Sequence, residues 1–253
     1  MTQHLRIANA EFRPRKPGDF ALTETAQDIL RSLELMRHKP EPGVVMIAGA
    51  PGTGKTKALE FFASGLGHDA IDVPIASGIG TENGIADLLL RAFAIQGNGM
   101  SLVAKHETLS RYIGRGRAVI LDECENLSAK AASSIASLAE MTGFDLVLCG
   151  GLDLQHQVNR VPALRSRVHA SRPVIIKQAS RADVACLVDG TAFATDAAIK
   201  LLHAVAQVRD GGLRNVEAAM HQATLFAGAD RPTVEHLAWA IRDLKLAPKG
   251  MEQ

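Results

Sequence analysis

Tyrosine and tryptophan are almost absent: 253 residues contain one of each. Stacking of bases on an aromatic platform is therefore not supported. Cysteine is nearly as scarce. Cys124, Cys149 and Cys186 are too far apart for a metal pair, and an odd number argues against a disulfide framework. Neither sign of charge dominates, with 28 Lys and Arg against 27 Asp and Glu. Any nucleic-acid surface must then come from a local cluster. No apolar run approaches the roughly 18 residues of a membrane span, and the opening "MTQHLRIANAEF" lacks the basic end and apolar core of a signal peptide. A cytoplasmic protein without membrane contact is expected. Nine histidines show no HExxH spacing, and no nucleophile-elbow string occurs, so neither a metal site beyond a nucleotide's own ion nor a serine triad is supported.

What the chain does have is 47% hydrophobic content, enough for a full core. Residues 1–20 mix Arg6, Arg13, Arg15 and Lys16 with Pro14 and Pro17 and read as an extended arm. The stripe Ile29, Leu30, Leu33 and Met36 predicts a helix over 23–37, stopped by "HKPEPG". From 43 to 177, short apolar runs alternate with amphipathic segments, the pattern of a parallel sheet with helical crossovers. The runs "VVMIA" (44–48), "AIDVPI" (70–75), "AVIL" (118–121), "DLVLC" (145–149) and "PVIIK" (173–177) make five strands. Beyond Ser180 the strand signals cease. Four helices are expected near 181–189, 195–207, 212–227 and 233–244, the first capped by Ser180 or Asp183. The fold class is thus α/β: a core over 21–178 with a five-stranded parallel sheet, then a small all-helical lid over 179–253. Trp239 is expected to pack in the lid's core.

"GAPGTGKT" follows a strand and opens a helix, which is the context in which G-x-x-x-x-G-K-[ST] cradles phosphate rather than making a mere glycine-rich turn. Small residues at Gly49, Ala50, Pro51, Gly52, Thr53 and Gly54 let backbone N–H groups approach the phosphates at a helix N-terminus. Lys55 is expected to reach the terminal phosphates and Thr56 to ligate magnesium. Asp122 and Glu123 end a buried strand 67 residues after Lys55, at the sheet edge where ligands bind. There Asp122 suits the magnesium and Glu123 an attacking water. Two adjacent acids favour a hydrolytic ATPase over a small-molecule kinase, and no N/T-K-x-D string for guanine occurs. ATP and Mg2+ are the expected cofactors.

Arg167 lies in "LRSRV", read as a turn before the last strand, from which it can project into a neighbouring subunit's nucleotide. Residues 160–177 carry five basic residues and no acid, so a solvated basic loop or a phosphate-backbone contact is the alternative. Arg214, in "GGLRN", sits in the first turn of the third lid helix, where it can reach back to the phosphates. Lys105, Arg111, Arg115 and Arg117 against Glu107 give a local charge of +3. "GRGR" there reads as a flexible basic turn able to track a phosphate backbone, against the plain alternative of a solvated helix end.

Taken in order, these motifs resemble those of the AAA+ ATPases: Walker A at 49–56, Walker B at 120–123, an arginine-finger segment at 166–168 and a Gly-Leu-Arg sensor in a helical lid. Within that superfamily, "IAGAPGTGKTKAL", "VILDECENLSAKA", "LVLCGG", "LRSRV" and "GGLRNVEAAM" make the chain most similar to the Mu B and TnsC-type transposon regulators. The resemblance implies the three-layer P-loop AAA+ fold. It also implies an ATP-dependent protein that assembles as a ring or filament on double-stranded DNA, recruits or stimulates a DDE transposase, and is released by hydrolysis. A different AAA+ machine, such as a helicase loader or a secretion-associated ATPase, is the alternative. Two departures stand out. Too few residues precede the core to hold the family's helix-turn-helix portion, so DNA contact is expected to fall to the core. Gly151 also stands where the family sets a polar sensor, often Asn; hydrolysis is then expected to be slow unless Asn126 or Asp153 substitutes.

Overall fold

In the computed structural model of the chain, residues 20–208 and 211–248 are described. The arm expected over 1–20 falls outside them, apart from Phe20. The first helix, α1 (Glu24–Arg37), starts at Thr23, whose hydroxyl accepts from the Ala26 N–H, and buries the expected stripe Ile29, Leu30, Leu33 and Met36. The chain then alternates as β1 (Val44–Gly49), α2 (Lys55–Leu66), β2 (Ala70–Pro74), α3 (Glu82–Ala92), α4 (Leu102–Ile113), β3 (Ala118–Asp122), α5 (Ala129–Thr142) and β4 (Asp145–Gly150). Two short helices, α6 (Asp153–Arg160) and α7 (Pro162–His169), precede β5 (Val174–Ile176).

The strands lie in the order β2-β3-β4-β1-β5, and every neighbouring pair is parallel. Alternation along each strand divides the apolar residues between two faces. Val44, Met46, Val119, Leu121, Leu146 and Leu148 pack with α3 to α7. Val45, Ile47, Ile120, Val147 and Cys149 pack with α1 and α2. The result is a sheet between two helical layers. Because all strands run the same way, the segments after β1, β3 and β4 emerge at one edge.

Four helices follow: α8 (Arg181–Val188), α9 (Asp196–Ala206), α10 (Gly212–Ala227) and α11 (Val234–Asp243). They enclose a separate apolar cluster that includes Val184, Leu202, Val216, Leu237 and Ile241. Trp239 departs from expectation: α11 turns Leu237, Ala240 and Ile241 inward, leaving the indole 52% exposed and edge-on to His236 at 5.3 Å. None of the helices among the described residues is long and apolar enough to cross a membrane.

One carboxylate joins the two parts. Asp183 accepts from the Thr25 N–H at 2.9 Å and the Thr25 hydroxyl at 2.8 Å. It also accepts from the Ser180 N–H at 2.9 Å while Ser180 caps α8 in return. The starts of α1 and α8 thus share one cap. Burial alone raises the Asp183 pKa, but the hydrogen bonds from Thr25 and Ser180 outweigh it and hold the carboxyl below its usual value. The folded state therefore keeps the charge to lower pH than the unfolded chain does. This stabilisation is present above about pH 4 and is lost as pH falls through the depressed pKa. Asp183→Ala is expected to cost roughly 2–4 kcal/mol, since it leaves three half-buried donors unpaired. Asp183→Asn is expected to flatten the acid side of the stability profile in denaturant titrations between pH 3 and 6; profiles identical to wild type would remove the assigned role.

Candidate nucleotide-binding site

The phosphate loop spans the end of β1 and the start of α2. Gly52 and Gly54 have φ of +70° and +90°, a left-handed geometry that glycine adopts without strain. Gly54 stands at the N-cap of α2 and supplies no side-chain cap. The helix's first N–H groups are left for a ligand, with the helix dipole favouring an anion. Lys55 folds across the loop, its Nζ donating to the Gly49 and Ala50 carbonyls at 2.8 and 2.9 Å. Thr53 tightens the same turn through the Ala50 carbonyl at 2.9 Å. Burial lowers the Lys55 pKa; Asp122 and Glu125 pull it back, and Arg214 lowers it further.

Asp122, at the end of β3, accepts from the Thr56 hydroxyl at 2.7 Å. These two hard oxygens converge as a magnesium site requires. Among the described residues no three His, Cys, Asp or Glu side chains gather as a metal cage. An ion at Thr56 and Asp122 would therefore complete its shell from phosphate and water, as magnesium commonly does. Glu123 follows in left-handed geometry, φ 59° and ψ 38°, with its N–H donating to Asp122 Oδ1 at 2.9 Å. A non-glycine residue there is strained by about 1–3 kcal/mol, a cost that tends to gather at functional positions.

The lid meets the loop chiefly through backbone. The Leu213 N–H donates to the Gly52 carbonyl at 2.7 Å. A Cβ on Gly52 would lie 1.9 Å from the Gly211 carbonyl oxygen, and one on Gly212 would lie 2.6 Å from that of Gly52. Arg214 follows in the same first turn of α10, near enough to Lys55 to act on its charge.

Other expected positions fall differently. Arg167 is not in a turn but on α7, which Pro162 opens at its first turn; its Nε and Nη2 donate to Glu140 of α5 at 3.0 and 2.7 Å. Lys105 is buried and pairs with Asp87 of α3 at 2.8 Å, so it is a structural cation and not a DNA contact. "GRGR" is pinned rather than flexible. Gly116 N–H donates to Gly143, Arg37 donates to the Gly116 carbonyl, and Arg117 donates to the Tyr112 carbonyl. Arg111 and Arg115 remain exposed. They precede β3, while the phosphate loop follows β1, so the two lie at opposite ends of the sheet, about 17 Å apart along a five-residue strand.

Neither expected substitute for the missing sensor at Gly151 takes its place. Asn126 donates to the Ile75 carbonyl at 2.8 Å, and Asp153 is exposed at the start of α6. Glu125, which the sequence reading passed over, is the residue found there. Its Oε2 accepts from the Gly151 N–H at 3.0 Å.

Comparison with known proteins agrees with this architecture. Residues 38–158 match the AAA domain family, and residues 166–244 match the family of the Mu B transposition protein, C-terminal. No curated protein matches the chain. Among solved structures, the Aeropyrum pernix ORC2 protein is similar with 16% identity and a TM-score of 0.65, over 95% of this chain and 72% of that one. The ORC1 protein of the same organism, solved in complex with DNA, gives 18% identity and a TM-score of 0.63 over 90% and 66%. The Thermotoga maritima RuvB Holliday junction branch migration motor gives 14% and 0.57 over 90% and 73%. At these identities the structures speak to the fold. The two family matches follow one another along the chain and touch where Leu213 bonds Gly52; residues 38–158 thus carry an AAA domain and residues 166–244 a domain of the Mu B transposition protein C-terminal type.

Proposed function

We propose that this chain is an ATP-dependent, largely sequence-neutral DNA-binding protein that oligomerises as a ring or filament on duplex DNA. It recruits or stimulates a DDE transposase, and hydrolysis releases the assembly. One observation carries the reading: the Mu B-type domain rests its α10 on the phosphate loop, Leu213 to Gly52, so the lid's angle and the occupancy of that loop are linked. The exposed apolar side chains Leu225, Phe226, Val234 and Trp239 on the same domain suit a protein partner. The complex of the ORC1 neighbour with DNA is in keeping with a DNA-binding role for this fold.

In this reading the free N–H groups of α2 and Lys55 hold the phosphates, and Thr56 and Asp122 hold magnesium. Bound there, the ion neutralises phosphate charge. Glu123 takes a proton from water as the water oxygen bonds to the γ-phosphorus and the bond to ADP breaks, its electron pair leaving with ADP. Arg214 reads the phosphates from the lid. Arg167 serves a neighbouring subunit. Its bridge to Glu140, whose carboxylate is 64% exposed, does not bar that role, because such surface pairs contribute only about 0–1 kcal/mol. Of the basic residues at 105–117, the exposed Arg111 and Arg115 are the ones that meet a DNA backbone.

Glu123→Gln is expected to lower turnover by about 100-fold or more while ATP binding persists, leaving assemblies locked on DNA. Electron microscopy with ATP and random-sequence duplex tests this. If neither wild type nor Glu123→Gln forms DNA-bound rings or filaments, the DNA-assembly reading fails.

A further inference from the structure

β3 and β4 are neighbours, with Leu121 beside Leu148, so the segments leaving them meet at the mouth of the site. One carries Glu125; the other opens with Gly151. Glu125 Oε2 accepts from the Gly151 N–H at 3.0 Å, and a Cβ on Gly150 would lie 2.4 Å from the same oxygen. The missing Cβ at Gly150 leaves the space that the carboxylate occupies. Gln157 holds the turn from behind, donating to the Glu125 carbonyl at 3.3 Å.

We infer that Glu125, rather than any side chain at the end of β4, orients the attacking water for Glu123. The inference rests on the ATPase reading above. An ionised carboxylate accepts hydrogen bonds and donates none, so it has nothing to offer a γ-phosphate oxygen; its partner is the water. Water has two hydrogens. One passes to Glu123 as the oxygen bonds to phosphorus and ADP departs with the electron pair. The other, held by Glu125, stays on the oxygen that becomes part of the phosphate product. The Gly151 N–H fixes the angle of that carboxylate, a positioning role of the kind phosphoryl transfer depends on.

ATP turnover and ATP affinity, measured with and without duplex DNA, test the assignment in three variants. Glu125→Ala is expected to reduce kcat roughly tenfold to hundredfold, with the ATP dissociation constant within about threefold of wild type. Glu125→Gln keeps an acceptor for the Gly151 N–H and is expected to retain more activity than Glu125→Ala. Position 151 has room for a side chain, since a Cβ there meets Glu125 at no less than 3.6 Å. Glu125→Ala/Gly151→Asn is therefore expected to recover turnover, because the water regains a polar neighbour. A structural role for Glu125 would not be rescued in this way. An unchanged kcat in Glu125→Ala beside an active wild type overturns this inference alone, as does a loss that Gly151→Asn leaves unrepaired. A wild-type chain that binds ATP but never hydrolyses it overturns the ATPase reading and this inference together.

Discussion

Lys55→Ala is expected to weaken ATP binding by about 100-fold or more and to remove assembly on DNA with it. The ammonium is buried in the loop and satisfied by two carbonyls, Gly49 and Ala50, so alanine deletes the one mobile positive charge among groups otherwise made of backbone. Charge-assisted hydrogen bonds contribute about 1.5–3 kcal/mol each, and one or two of them account for the loss. The substitution also removes a cation that interacts with Asp122 and Glu125, so their negative charge repels an incoming triphosphate further. Titration with a fluorescent ATP analogue measures the effect, and thermal unfolding shows whether the fold survives. Tight binding by Lys55→Ala would take the phosphate site away from this loop.

Gly52→Ala is expected to detach the lid. The new Cβ would stand 1.9 Å from the Gly211 carbonyl oxygen, far inside contact distance and against backbone that has no rotamer to yield. Left-handed backbone adds a further cost of about 1–2 kcal/mol for alanine. Gly212→Ala makes the same collision from the lid's side, 2.6 Å from the Gly52 carbonyl. Both variants are expected to lower the unfolding midpoint and to abolish the influence of DNA on ATP affinity. Because they break one shared contact, the double variant is expected to be little worse than either alone. Gly228→Ala serves as the control: φ is also positive, but nothing lies within 4 Å of its Cβ, so it reports strain without collision. Equal effects at Gly52 and Gly228 would remove the lid contact from the account.

The alternation of apolar runs and amphipathic segments is enough to place five strands and four lid helices, because β1, β3 and β4 are buried on both faces, β2 and β5 keep short apolar runs, and the lid helices have apolar stripes. Helix α7 was not legible. Only Leu164 and Val168 face inward over its eight residues, too short a period to outweigh a proline and a run of basic residues, so the sequence alone reads Arg167 as part of a turn. Lys105 misled for a different reason. Its partner Asp87 lies on another helix, and no local pattern announces that a lysine will be buried against it. The core of the site, Lys55, Thr56 and Asp122, could be read because a phosphate loop and a strand-end acid each have their own local signature. Glu125 could not, since its place depends on β3 and β4 lying side by side.

The cap shared by Thr25, Ser180 and Asp183 constrains how the molecule can move. Among the described residues the lid is tethered to the core by the peptide contact at Gly52, and at the starts of α1 and α8 by this carboxylate together with Cys186, whose thiol donates to the Leu22 carbonyl. The first behaves as a latch and the second as an axle. A lid that opens without breaking the cap is then expected to rotate about the beginning of α1, carrying α10 and Arg214 away from the phosphate loop before any lid helix has to unfold.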